Sequence, residues 1–143
     1  MRTATDASEV MLVEDDDGIR EVLREVLEEA GFRVIWAANG QEALAQLRLG
    51  RAPRVILLDL MMPVMDGLAF RTAQRRDPAL APIPVVVISA DERIEHKISD
   101  MQPDGYLPKP FELRKLLDTV NRYCPPSGRK WHPPNASPSS TSP

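Results

Sequence analysis

The chain has 143 residues, of which 43% are hydrophobic and 27% charged, a composition that suits one ordinary globular domain with its own core. Glu14, Asp15, Asp16 and Asp17 carry four negative charges, which leaves the rest of the chain at +1 against a total of -3, so nothing reads as a basic footprint for direct contact with DNA or RNA. The single cysteine, Cys124, excludes an intrachain disulfide. The polar start from Met1 to Ser8 lacks the core of a signal peptide, and no apolar run is long enough to span a membrane; the expectation is a cytoplasmic protein with no membrane insertion.

The first element predicted is a strand, Val10-Met11-Leu12-Val13, running into Glu14-Asp15. Ile19, Val22, Leu23, Val26, Leu27 and Ala30 then recur at helical spacing, with Asp17 as the expected cap and Gly31 as the stop. Phe32 to Trp36 reads as a short strand. Asn39, three residues before Glu42, resembles a capping box for a helix that presents Ala43, Leu44 and Leu47 and ends at Gly50.

The next strand, Val55-Ile56-Leu57-Leu58, runs into Asp59. After Pro63, Asp66-Gly67 opens a weaker helix through Arg76, ended by Asp77-Pro78. Val85-Val86-Val87-Ile88 is the fourth strand and runs into Ser89. Asp91 to Asp100 is polar, with only Ile94 and Ile98 at helical spacing, so any helix there is short. Gly105 to Leu107 is a fifth strand, followed by Lys109, and Leu113, Leu116, Leu117 and Val120 make a last amphipathic helix. From Cys124 onward the Pro/Ser-rich stretch cannot bury enough apolar surface to offset its ordering entropy and is expected to be disordered.

Strands alternating with helices argue for a parallel sheet covered on both faces, and continuous apolar strands fit that arrangement. Parallel neighbours bring their C-terminal ends to one edge, where open α/β sheets place their sites. Glu14, Asp15, Asp59, Ser89 and Lys109 would all converge there. Three carboxylates, a hydroxyl and an ammonium suit a hard cation and a phosphoryl group.

Four segments carry a known pattern: Glu14-Asp15, then Asp59-Leu60-Met61-Met62-Pro63-Val64-Met65-Asp66-Gly67, then Ser89-Ala90, then Lys109-Pro110-Phe111. In this order and spacing the chain resembles a response-regulator receiver domain of the CheY-like family of two-component signalling, over about Val10 to Arg122. The resemblance implies an α/β, flavodoxin-like, doubly wound (βα)5 fold with strand order 2-1-3-4-5. It divides the chain into a flexible tail at 1–8, a receiver domain at 9–123 and a disordered tail at 124–143.

The same resemblance implies roles. Asp59 would accept a phosphoryl group from a sensor histidine kinase or a histidine phosphotransfer protein. Mg²⁺ would be held by Glu14, Asp15, Asp59 and the backbone carbonyl of Met61. Ser89, Ala90 and Lys109 would bind the phosphoryl group, and Ser89 with Tyr106 would form the switch. Lys109-Pro110 would be cis, and Met61 and Asp91 would tune the phosphoryl lifetime. The implied activity is that of a signalling phosphoacceptor rather than an enzyme. Its downstream protein target would bind the face made by the fourth helix, fifth strand and fifth helix.

Plainer readings stand beside these. An Asp-rich loop is often a solvated turn, Lys109 alone would read as a surface lysine, and Tyr106 alone as core packing. Met61, Met62 and Met65 fit packing better than a soft metal, because their neighbours are carboxylates. Two rivals to the switch are a phosphorylation-independent scaffold and the receiver fragment of a larger regulator. A phosphohydrolase of the haloacid-dehalogenase type is disfavoured, since Met61 stands where a second acid would be needed. The stretch from Ser89 to Lys109 is shorter than the family norm, which predicts a short fourth helix and weak protection over residues 91–102.

Overall fold

The computed structural model describes residues 9–60, 62, 64–90 and 99–123. Five strands form one parallel sheet: β1 (Glu9–Val13), β2 (Arg33–Ala37), β3 (Val55–Asp59), β4 (Val85–Ser89) and β5 (Gly105–Pro108). Their order is β2-β1-β3-β4-β5, the doubly wound arrangement in which the chain leaves the centre in one direction and later winds the other way. Between the strands run α1 (Asp17–Glu29), α2 (Gly40–Arg48) and α3 (Gly67–Arg76), and the last helix is Leu113–Tyr123.

Alternation along each strand divides the core in two. Met11, Val13, Ile56, Leu58, Val85 and Val87 point to one face, where they meet Ala43, Leu44 and Leu47 of α2 and Phe70 of α3. Val10, Leu12, Val55, Leu57, Val86 and Ile88 point to the other, against Leu23 and Leu27 of α1 and Leu116 and Val120 of the last helix. Every residue of β3 and β4 is buried. That double coverage is the physical reason these segments read as unbroken apolar runs.

The helix ends follow local chemistry, with one correction. Asp16, not Asp17, caps α1: its Oδ1 accepts from the Ile19 N–H at 2.9 Å. Asp17 lies inside the first turn and pairs with Arg20. The cap needs an extended residue one position before the helix, and Asp16 has that backbone, φ -77 and ψ 116. Asn39 caps α2 through the Glu42 N–H at 2.9 Å, while Glu42 Oε1 reaches back to the N–H of Ala38, one residue earlier than a standard capping box. Gly31 (φ 102) and Gly50 (φ 107) end α1 and α2 in left-handed turns. At each, the N–H of the glycine and that of the next residue donate back into the helix: Gly31 to Glu28 and Phe32 to Leu27, then Gly50 to Leu47 and Arg51 to Gln46. β2 begins at Arg33, one residue later than expected, because the Phe32 N–H is used in closing α1.

Of the polar stretch expected to form a short helix, 91–98 lies outside the described residues; residues 99–101 are helical. Met101 is fully buried. It is held by a feature that the apolar pattern does not reveal. Arg71 of α3, itself 7% exposed, donates from Nε to the Met101 carbonyl at 3.0 Å and from Nη2 to the Gln102 carbonyl at 2.7 Å. Its Nη1 donates to Gln74 Oε1 at 2.9 Å, and Gln74 Nε2 donates in turn to the carbonyls of Leu80 (2.9 Å) and Ile83 (3.0 Å). Two polar side chains of one helix thus satisfy the carbonyls of two loops that enter neighbouring strands.

Gln74→Leu leaves those loop carbonyls and one guanidinium N–H without their partner inside the core. The expected loss is about 2 kcal/mol or more, read as a lower urea midpoint, against almost no loss for Thr72→Ala on the exposed side of the same helix. Equal midpoints for Gln74→Leu and wild type would show that the network carries no stability.

Candidate functional site

The sheet register brings the expected residues to one edge. Val13 pairs with Leu58, so Glu14 follows β1 at the level of Asp59, and Asp59 pairs with Ile88, one step before Ser89. Ser89 pairs with Pro108, which puts Lys109 immediately beyond. The Lys109 N–H donates to the Ser89 carbonyl at 2.8 Å, so the ladder continues one residue past β5.

Glu14 and Asp59 are 1% and 5% exposed, while Asp15 is exposed. Glu14, Asp15 and Asp59 each offer a carboxylate oxygen within 4.8 Å of the others. Lys109 Nζ donates to Glu14 Oε1 at 3.1 Å and lies 3.9 Å from Asp59 Oδ2. The second Glu14 oxygen, Oε2, accepts from the Asp16 N–H at 3.2 Å. The Glu14 N–H donates to the Ala37 carbonyl of β2 at 3.1 Å, and its own carbonyl accepts from Arg20 Nη1 at 2.9 Å.

Burial, and then the charge of Asp59, push the Glu14 carboxyl up to about 7 from an ordinary 4.5. Hydrogen bonds from the Asp16 backbone and Lys109 pull the other way and only partly offset this. An all-oxygen donor set in which one carboxyl resists ionisation suits a hard divalent cation, whose charge would relieve the crowding.

Ser89 is 1% exposed at the end of β4, and Ala90 beside it is exposed. Tyr106 is half-buried, level with Val87, and packs against the core cluster that contains Phe70 and Met101. The Lys109–Pro110 peptide is cis. Met61 and Asp91 lie outside the described residues.

Sequence reasoning gave no role in the pocket to two residues. One is Arg20, whose guanidinium grips the Glu14 carbonyl. The signal was a cation in the first turn of α1, where the helix dipole disfavours one. The other is Gly67, where a Cβ would stand 2.7 Å from Leu60 Cδ2 and 2.9 Å from the Asp59 carbonyl. The Gly67 N–H donates to the Leu60 carbonyl at 3.1 Å, so α3 starts hard against the residue that follows Asp59.

The protein-family model for the response regulator receiver domain matches residues 10–121. The chain belongs to this receiver family. It is 36% identical over 113 residues to the DNA-binding dual master transcriptional regulator RpaA of Synechocystis sp., a match covering 78% of this chain and 46% of RpaA. The receiver domain of a signal transduction histidine kinase from Syntrophus aciditrophicus superposes with a TM-score of 0.76 at 33% identity, covering 81% of this chain and 89% of that one. The receiver domain of sensor histidine kinase PA1611 from Pseudomonas aeruginosa, solved with magnesium coordinated in its active-site cleft, gives 0.73 at 26% identity, with 81% and 96% covered. The chain thus spans about half the length of the curated relatives it matches, 46% of RpaA and 48% of the phosphate-regulon protein PhoB of Pseudomonas aeruginosa.

Receiver domains are signalling phosphoacceptors that interact with histidine kinases or phosphotransfer proteins, and this chain is the receiver domain of a two-component system. No helix among the described residues is long and apolar enough to cross a membrane.

Two outcomes follow from the geometry. Gly67→Ala should cost about 1–3 kcal/mol, because the new methyl meets the backbone of Asp59 and Leu60 as well as the Leu60 side chain, and the backbone cannot swing aside; an unchanged thermal midpoint would show that α3 can move away from Asp59. For Glu14 the sign is set by proton uptake. The native domain keeps the Glu14 proton up to about pH 7, and the unfolded chain releases it near 4.5. The metal-free domain therefore loses stability as pH rises through that window, by a few kcal/mol at most. Urea midpoints at pH 5 and pH 8 check this, with Glu14→Gln expected to flatten the dependence.

Proposed function

We propose that Asp59 is the phosphoacceptor of a phosphorylation-controlled switch and that the pocket works with Mg²⁺. The observation that carries this reading is the placement of one ammonium, Lys109, 3.1 Å from Glu14 and 3.9 Å from Asp59 in a cluster of three carboxylates. The PA1611 receiver domain, with magnesium in its cleft, supports the metal assignment. Glu14, Asp15 and Asp59 would hold the ion, which when bound supplies charge neutralisation for the incoming phosphoryl oxygens.

In the proposed transfer, an Asp59 carboxylate oxygen forms the new P–O bond while the P–N bond of a phosphohistidine breaks, and the imidazole leaves with its electron pair. Lys109 offers N–H donors to the phosphoryl oxygens, and its charge offsets that of the three carboxylates. Sheet burial excludes water from Asp59 on the core side. The product is an acyl phosphate, reactive enough to be lost again, as a signal requires.

Ser89, one residue beyond Asp59 in the sheet register, would hydrogen-bond the phosphoryl group. Tyr106, half-buried on the next strand, would follow it inward. Such a shift is limited by the phosphoryl group's preference for the active arrangement; inverting a 1:99 population takes roughly 5.5 kcal/mol. The output would be a changed protein-binding face that includes β5 and the last helix. A second reading, as the receiver portion of a longer regulator, is favoured by relatives of which this chain spans 46% and 48%.

Intact mass after incubation with acetyl phosphate and Mg²⁺ tests the assignment. One added phosphoryl group is expected on wild type and none on Asp59→Ala or in the presence of chelator. An adduct that survives Asp59→Ala would place the acceptor elsewhere. No adduct from either acetyl phosphate or a panel of phosphohistidine donors would overturn the switch in favour of a scaffold.

A further inference from the structure

We propose that Arg20 is a positioning residue for the acidic pocket, acting on Glu14 and Asp15 through the peptide that joins them and using the Trp36 ring as its shelf. The assignment rests on the phosphoacceptor reading above and deepens it.

Arg20 makes three different contacts at once. Nη1 donates to the Glu14 carbonyl at 2.9 Å. Nη2 forms a short ion pair with Asp17. The guanidinium carbon lies 4.3 Å from the centroid of the Trp36 ring. The Arg20 side chain is only 13% exposed although α1 is a surface helix. Trp36, 46% exposed, sits on edge strand β2, where its carbonyl accepts from Gln46 Nε2 of α2 at 2.7 Å. The clamp therefore joins α1, β2 and α2 to the turn that carries the pocket acids.

The helix itself does not account for this arginine. A cation in the first turn opposes the helix dipole. Arg24, one turn later, shows the ordinary use of the residue type: its ion pairs with Glu21 and Glu28 are exposed and lie along the helix surface. Arg20 makes one such pair, with Asp17, but also reaches off the helix to a backbone carbonyl at the end of β1 and to the Trp36 ring.

Holding that carbonyl has a consequence for Asp15. The peptide unit is planar, so fixing the Glu14 carbonyl fixes the plane from which the Asp15 Cα departs. Glu14 has three other restraints, on its N–H and on both carboxylate oxygens. Asp15 is exposed, and its direction depends on this peptide plane. A planar, forked guanidinium can hold a carbonyl and a carboxylate while lying flat on an indole; an ammonium cannot do all three.

The test is Mg²⁺ affinity by titration calorimetry at pH 8, on the full chain, with thermal melting to confirm folding. Arg20→Met is expected to weaken Mg²⁺ binding about ten-fold, as loss of a group that orients metal ligands does. Arg20→Lys is expected to fall between it and wild type, and Arg24→Met to match wild type. A folded Arg20→Met that binds Mg²⁺ within about two-fold of wild type would overturn the assignment. Should Arg20→Met not fold, Arg20→Lys decides, and wild-type affinity in it would overturn the assignment equally. If wild type itself binds no Mg²⁺, the metal-dependent phosphoacceptor reading fails first, an outcome separate from failure at Arg20 alone.

Discussion

The arrangement depends on two buried carboxylates, Glu14 and Asp59, that share the ammonium of Lys109. Burial, and then the charge of Asp59 beside it, make the Glu14 carboxyl hold its proton to about 7. Such a pocket is unfavourable for the fold by itself and is tolerated because the sheet around it is secured elsewhere. Strands β3 and β4 are buried along their whole length between two layers of helices. The stability those layers supply allows a site that Lys109 only partly neutralises to persist at the edge.

The pocket is also restrained from several directions. The N–H and C=O of Glu14 bond to β2 and α1, and its carboxylate oxygens bond to the turn and to the residue after β5. Helix α3 starts against the residue after Asp59 and, through Arg71, holds the carbonyls of Met101 and Gln102 ahead of β5. A physical connection therefore runs from the end of β3, along α3, to the strand that carries Tyr106. The strand that carries Asp59 and the strand that carries Tyr106 are thus bound to the same helix.

Much of this was legible in the residues. Unbroken runs such as Val55–Leu58 and Val85–Ile88 are what two-sided burial selects, and their alternation with amphipathic segments implied the parallel sheet. Gly31 and Gly50 marked helix ends because left-handed backbone at those points strongly favours glycine. The pocket acids were visible because each follows directly on such a run. Less was visible where one residue serves a distant partner. Nothing in the sequence singles out Arg71 and Gln74, since nothing local says that loop carbonyls at 80, 83, 101 and 102 need donors. The choice between Asp16 and Asp17 as cap turned on which backbone is extended, a matter of a single residue. Val64 and Gln102 adopt φ values of 68 and 48 without being glycine. For Gln102 the carbonyl held by Arg71 is a reason; for Val64 the structure offers none.

Strand, helix and turn chemistry act over a few residues, so the primary sequence alone was enough to set the alternation of strands and helices, the double coverage of the sheet and the polar residues into which β1, β3 and β4 run. Distances across the pocket depend on register between strands far apart in the chain. Only the folded sheet placed Lys109 against Glu14, 95 positions away, and only it turned a first-turn arginine toward the end of β1. Proximity of that kind is created by packing and has no local pattern from which it could be read.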